Sequence, residues 1–271
     1  MSATLVTDDF TRLRTCAVFA PGREFERLLP EHIEAAVSDG KGGLKPNPDY
    51  LLFDDLVHPA ALSVEHADLR NVLTAAIGAD NLVDLRDLLQ RILWEDELRK
   101  RVVDAILQLE IELFGGHGAH VRDALIALPP AQLAEALVIG CAANSSVPLL
   151  RWPMPNWLFA RDCFAVAAGS VILGHPSRRA RRRDGLLARA IVRYHPMFSG
   201  ADVIDVETAT GESGPRCFEG GDLVLPADGV ALIGIGLRTN DAGAKAVAHA
   251  LQVRGFHTVL GVRLPKRRGA M

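Results

Sequence analysis

The sequence predicts an α/β protein interrupted by a block of helices. Three observations carry that prediction. Short apolar runs bounded by turn residues occur before residue 60 and return after about residue 148. Between about 61 and 140 almost no strand pattern survives, and apolar residues fall at helical spacing. In the second half the order strand, strand, helix, strand recurs at least twice. The expected organisation is therefore an α/β portion formed by residues 1–60 and 141–271, with residues 61–140 as a helical insert.

Taken in order, "RTCAVFA" at 14–20 reads as a strand, and "PGREFERLLP" follows it as a turn and a helical piece. "DYLLFDD" at 49–55 reads as a second strand ending in two acids. In the insert, Leu85, Leu88, Leu89 and Ile92 define one helical face, and Gly115, Gly116 and Gly118 break the helical run. "VRDALIAL" and "PAQLAEALVIG" continue as helices, the second opened by Pro130 and closed by Gly140.

After the insert, Leu158–Phe159 and then 164–166 read as buried strand, with Arg161 and Asp162 set between them. "FAVAAGSVILG" at 164–174 predicts a hairpin turning near Gly169-Ser170. Residues 184–195 predict a helix stopped by Pro196. "DLVLPADGVALIGIG" at 222–236 predicts a second hairpin through a "PADG" turn. A helix follows from 239, with Asn240 as its cap and Gly255 as its stop, and "FHTVLGVRL" closes the unit as a strand.

Composition narrows the function classes. Of 271 residues, 49% are hydrophobic, which supports a sizeable core rather than disorder. A net charge of −3 gives no global attraction to nucleic acid or membrane surfaces. The four cysteines, Cys16, Cys141, Cys163 and Cys217, are scattered without a C-x-x-C pair, so neither a zinc site nor a disulfide framework is expected. They read as reduced thiols of a cytoplasmic protein. The first residues carry acids and lack an apolar run, so no signal peptide is expected, and no stretch is apolar enough for a membrane span.

Three segments concentrate charge beside strands: "MPNWLFARD" with Asn156, Arg161 and Asp162; "CFEGGD" with Glu219 and Asp222; and "GLRT" with Arg238. A charge within an apolar run is costly unless paired, so Arg161 and Asp162 form an internal salt bridge or meet a charge from outside. Gly220 and Gly221 permit close backbone approach, so the turn between Glu219 and Asp222 can aim both acids at one point. Two carboxylates from different strand ends clamp a guanidinium, a planar cation with five donors in a fixed fork. Arginines at 181, 183 or 238 would then hold a carboxylate. Plainer readings stand beside this one. The Arg161–Asp162 pair fits a structural ion pair, the E-G-G-D turn fits solvated acids, and Arg238 fits a surface residue. "RRARRR" at 178–183 resembles a nucleic-acid patch, but it lacks interleaved aromatics and fits a solvated face with one or two arginines turned inward. His58, His117, His120 and His195 show no convincing ligand spacing.

Jointly, "VFAPGREFERLLP", "LLFDD", the helical insert, "PMPNWLFARD", "RARRRD", "RYHP", "FEGGD", "LRT" and "LPKRRGAM" resemble, in this order and over nearly the whole chain, the arginine deiminases of the guanidine-modifying amidinotransferase-fold superfamily. The insert favours this family over agmatine- or methylarginine-processing relatives. The resemblance implies a five-bladed α/β propeller of ββαβ units around a water-poor site. It implies conversion of L-arginine to L-citrulline and ammonia through a covalent amidino-cysteine intermediate. Asp162 and Glu219 match the carboxylates that grip the guanidinium. Asn156, Phe159, Arg181 and Arg238 match positions that line the pocket or hold the substrate carboxylate, and Asp222 matches a supporting acid. No metal or organic cofactor is implied, and no nucleic-acid or membrane partner; a homo-oligomer is compatible with the family.

The pattern departs from the family in places. Cys163 stands where proline is usual, Leu237 where an acid precedes R-T, and "RRRDG" leaves the choice between Arg181 and Arg183 open. In the family the stretch like "LPKRRGAM" leads into a His-Leu-Asp motif that shuttles protons, with the nucleophilic cysteine further on. Neither is found within these 271 residues. Cys163 and Cys217 lie beside carboxylates, which disfavour a thiolate. The expectation is a truncated arginine deiminase, with open sheet edges in place of its last blades and no activity of its own. The rival readings are a guanidine-binding module without catalysis, or a nucleic-acid binder using 178–183.

Overall fold

The computed structural model describes residues 6–51, 53, 55–115, 120–142, 145, 147–209 and 215–265, and it divides the chain into two units. One unit comprises 1–12, 159–177 and 196–271; the other comprises 13–158 and 178–195. The segments 116–119 and 266–271, with His117 and most of "LPKRRGAM", lie outside the described residues.

The first unit holds two three-stranded sheets. A one-turn helix α1 (Ala160–Cys163) leads into β1 (Phe164–Ala167), which pairs antiparallel with β2 (Ser170–Leu173). Ala168 and Gly169 connect them, with φ of 53° and 76°. Positive φ at both central positions is what a two-residue hairpin between right-twisted strands demands. β3 (Asp202–Asp205) then adds to β2 in parallel. In the second sheet β4 (Leu223–Ala227) and β5 (Val230–Ile235) form the expected hairpin. Pro226, which lacks an N–H, sits in a register irregularity between Val224 and Ala227. α2 (Asp241–Val253) follows, its first turn capped by Asn240, whose side-chain oxygen accepts from Gly243 N at 2.8 Å. β6 (Thr258–Arg263) returns parallel to β5. In chain order the strand-strand-helix-strand unit thus occurs twice. Ile172, Ile204, Phe218, Leu225, Ile233, Val247 and Leu251 form one buried cluster from both sheets and α2.

The second unit is mainly helical. Its helices are Pro59–Ile77, Leu85–Ile92, Asp96–Phe114, His120–Ile126, Pro130–Ile139 and Arg182–Tyr194. Leu85, Leu88, Leu89 and Ile92 are all buried, as their spacing predicts. Gly115 and Gly140 end their helices with φ of 88° and 83°. His58 caps the helix from Pro59 by accepting from Ala61 N, and His195 is the C-cap of the helix ending at Tyr194.

Two segments differ from expectation. The described residues of "DYLLFDD" form no strand, and Leu52 and Asp54 lie outside the description. The segment is held instead by side chains: Asp49 accepts from Arg151 Nε at 3.0 Å and from Trp152 Nε1 at 2.7 Å, while Leu51 N donates to His32 O. Leu158 and Phe159 are also not strand. Pro155–Leu158 is a 3-10 turn, and Arg161 and Asp162 ride on α1. The three- and four-residue strands Cys16–Val18, Ala36–Ser38, Leu44–Pro46, Leu82–Asp84 and β3 range from foreseen (the first) to too short for periodicity to mark.

The basic run at 178–183 is engaged internally. Arg181 Nε donates to Asp184 Oδ2 at 3.1 Å, and Arg183 pairs with Glu110 at 3.2 Å, all four side chains being buried. Arg179 donates to Leu113 O, and Arg178 lies over the Tyr50 ring. Among the described residues no helix is long and apolar enough to cross a membrane.

The left-handed Ala168 generates a prediction. Ala168→Asn keeps the Cβ and suits positive φ, so it should raise stability by about 0.5–1 kcal/mol, whereas Ala168→Val should lower it. Urea unfolding midpoints of the two variants check this; equal midpoints would contradict it.

Candidate functional site

The site is assembled by packing α1 against the turn Glu219–Asp222. A Cβ on Gly220 would collide with the Arg161 carbonyl, and one on Gly221 with Asp162 Oδ1. Two adjacent glycines therefore let the backbone of one element approach the acid of the other. Arg161 fastens the contact. Its guanidinium donates to Gly220 O at 3.3 Å and to Leu223 O at 2.7 Å, and it pairs with Asp9 at 3.2 Å. Arg161 thus meets neither Asp162 nor solvent alone, and Asp162 is left to face a cavity.

That cavity, of about 130 Å³, lies within the first unit. Asp162, Glu219, Asp222 and Arg238 line it, with Leu237, Leu264 and Pro265 as an apolar side. Asp162 is 5% exposed and Glu219 fully buried. Asp162 Oδ2 and Glu219 Oε2 each lie 3.7 Å from the same nitrogen, Arg238 Nη1. Two acids separated by β1, β2, a helix and β3 in sequence thus converge on one guanidinium. Burying two carboxylates is costly unless a cation compensates them, so the pocket is built to hold positive charge.

Thr239, which the sequence reading passed over, ties the acids together. Its Oγ1 donates to Asp222 Oδ2 at 2.5 Å and accepts from Glu219 N at 3.2 Å, and the residue is fully buried. The signal was present in "LRTN", where a hydroxyl adjoins the arginine. Burial raises the Asp222 pKa above its ordinary value, with the Asp162 charge adding to the rise while Thr239 and Arg238 oppose it.

The other expected residues are placed as follows. Phe159 belongs to the same unit, stands at the N-cap position of α1 without a side-chain capping bond, and is exposed; it is not among the residues that line the cavity. Asn156 and Arg181 belong to the second unit. Asn156 is buried in the turn Pro155–Leu158, and its Oδ1 has no hydrogen-bond partner among the described residues. Arg181 and Arg183 are both buried in ion pairs, so burial does not separate them. Cys163 and Cys217 are buried and outside the cavity lining, and no disulfide joins the four cysteines. Among the described residues no group of three or more His, Cys, Asp or Glu is arranged to hold a metal ion.

A family model described as arginine deiminase matches residues 49–271. The chain belongs to the arginine deiminase family. An arginine deiminase of Rhodococcus erythropolis is 30% identical over 284 residues, covering 98% of this chain and 64% of the relative. One from Mycobacterium bovis is 32% identical over 282 residues, covering 96% and 63%, and one from Staphylococcus haemolyticus is 25% identical, covering 98% and 64%. The chain therefore spans just under two thirds of the length of these curated arginine deiminases. Among solved structures, a DDAH from Pseudomonas aeruginosa complexed with citrulline matches with a TM-score of 0.45 at 16% identity, covering 94% of this chain and 62% of that one.

The glycine pair predicts an asymmetry. In Gly220→Ala the new methyl meets backbone, so the loss of stability should be about 1–3 kcal/mol. In Gly221→Ala it meets the end of the Asp162 side chain, which can turn aside, so the loss should be smaller. Chemical denaturation of both variants checks the order; a larger loss at Gly221 would contradict it.

Proposed function

We propose that residues 1–271 form the guanidinium-gripping part of an arginine deiminase-type hydrolase acting on L-arginine. The observation that carries the reading is the convergence of Asp162 and Glu219 on one guanidinium nitrogen at 3.7 Å. In the reaction, a cysteine thiolate adds to the guanidinium carbon and ammonia leaves. Water then attacks the amidino-thioether, releasing L-citrulline and restoring the thiolate. Asp162 and Glu219 hold the guanidinium nitrogens through charge-assisted hydrogen bonds and aim the carbon at the nucleophile. Asp222 supports the turn that presents Glu219, and Asn156, Phe159, Arg181 and Arg238 complete the pocket or receive the substrate carboxylate. The architecture we propose is a five-bladed α/β propeller of ββαβ units from 1–60 and 141–271, with a helical insert at 61–140. No cofactor, nucleic acid or membrane takes part; the setting is cytoplasmic, and assembly into a homo-oligomer is compatible with the reading.

A second reading has its own support. These 271 residues contain no His-Leu-Asp motif, and Cys163 and Cys217 are buried outside the cavity lining. Residues 1–271 by themselves should then bind arginine without turning it over.

Calorimetry with L-arginine tests both. Wild-type residues 1–271 should bind it, and Asp162→Asn and Glu219→Gln should each weaken binding by about tenfold or more, as expected for a lost hydrogen bond to a charged group. Parallel citrulline assays should remain at background. Unchanged affinity in both variants would overturn the guanidine reading, and citrulline formation would overturn binding without turnover.

A further inference from the structure

We propose that Arg238 is a specificity-determining residue that works by exclusion, holding its own guanidinium in the cation seat of the pocket so that a bare guanidinium ion must displace it. This inference rests on the reading of the cavity as a guanidinium site.

The seat is defined by Asp162 and Glu219, and Arg238 Nη1 stands 3.7 Å from an oxygen of each. A separation of 3.7 Å is an ion pair but exceeds hydrogen-bonding distance, where charge-assisted contacts lie near 2.7–2.9 Å. The Arg238 Nε is buried and has no hydrogen-bond partner among the described residues. Arg238 therefore compensates the acids electrostatically while leaving much of its donor capacity unused. A ligand guanidinium free to orient its fork can make the short contacts that the tethered side chain does not.

The neighbourhood keeps Arg238 in this seat. Leu237, which precedes it, is apolar, and Asp241, the nearest acid downstream, pairs with Arg263 at 2.7 Å. Arg238 pairs with Asp162 and Glu219, and its charge also acts on the third cavity acid, Asp222. Displacement costs Arg238, whose side chain is 26% exposed, both of these ion pairs, and a ligand carrying its own carboxylate offers it a new one whereas a simple guanidinium ion does not. Specificity then arises from a penalty on the wrong ligand as well as from contacts to the right one.

The test measures methylguanidinium binding by calorimetry to wild type and to Arg238→Met, which keeps the stem volume and removes the charge. Methylguanidinium should bind the variant at least tenfold more tightly, while the preference for L-arginine over methylguanidinium should shrink. Binding by wild type that the substitution leaves equal or weaker overturns this inference alone. Absence of binding by either protein overturns it together with the guanidinium reading. Should the variant fail to fold, side-chain nitrogen NMR of the wild type decides: the Arg238 guanidinium resonances should move to those of a solvent-exposed arginine at methylguanidinium saturation. Resonances unmoved at saturation overturn the inference.

Discussion

Everything at the cavity depends on how closely α1 can lie against the Glu219–Asp222 turn. Gly220 admits the Arg161 carbonyl and Gly221 admits the Asp162 carboxylate, so the approach is set by two absent side chains. Arg161 then clamps the two elements through the carbonyls of Gly220 and Leu223 and through Asp9. Asp9 in turn bonds Leu225 N at 2.8 Å, which anchors the N-terminal segment to β4. One arginine joins three stretches of chain, and its neighbour Asp162 is directed into the cavity as a result.

That geometry creates an electrostatic problem and fixes its solution. Asp162 and Glu219 are removed from water, and Asp222 stands beside them with its pKa raised by burial. Like charges gathered in a low-dielectric recess attract a cation strongly and select one shaped to meet two carboxylates at once. A guanidinium has that shape. The Arg238 side chain places one there.

Much of this was legible in the sequence where local chemistry decides the outcome. The turn residues between 164–174 and 222–236 marked both hairpins, Asn240 marked its helix start, and the Leu85–Ile92 spacing marked a buried face. The convergence of Asp162 and Glu219 was foreseen from motif order rather than from periodicity. What escaped was decided by distant partners. Residues 49–55 look like a strand, yet Asp49 is claimed by Arg151 and Trp152, about a hundred positions away. Leu158 and Phe159 look like strand because they are apolar, yet they fall in a 3-10 turn and at the start of α1, and the glycines that let α1 pack closely lie near 220. Thr239 escaped because a lone hydroxyl carries no pattern; only its bonds to Asp222 and Glu219 give it a role.

The central claim is that Asp162 and Glu219 grip a guanidinium together. A crystal structure of residues 1–271 soaked with L-arginine tests it most directly. The account predicts the ligand guanidinium within hydrogen-bonding distance of both carboxylates, with Arg238 moved from its present position. A ligand bound elsewhere, or a guanidinium touching only one of the two acids, would contradict it.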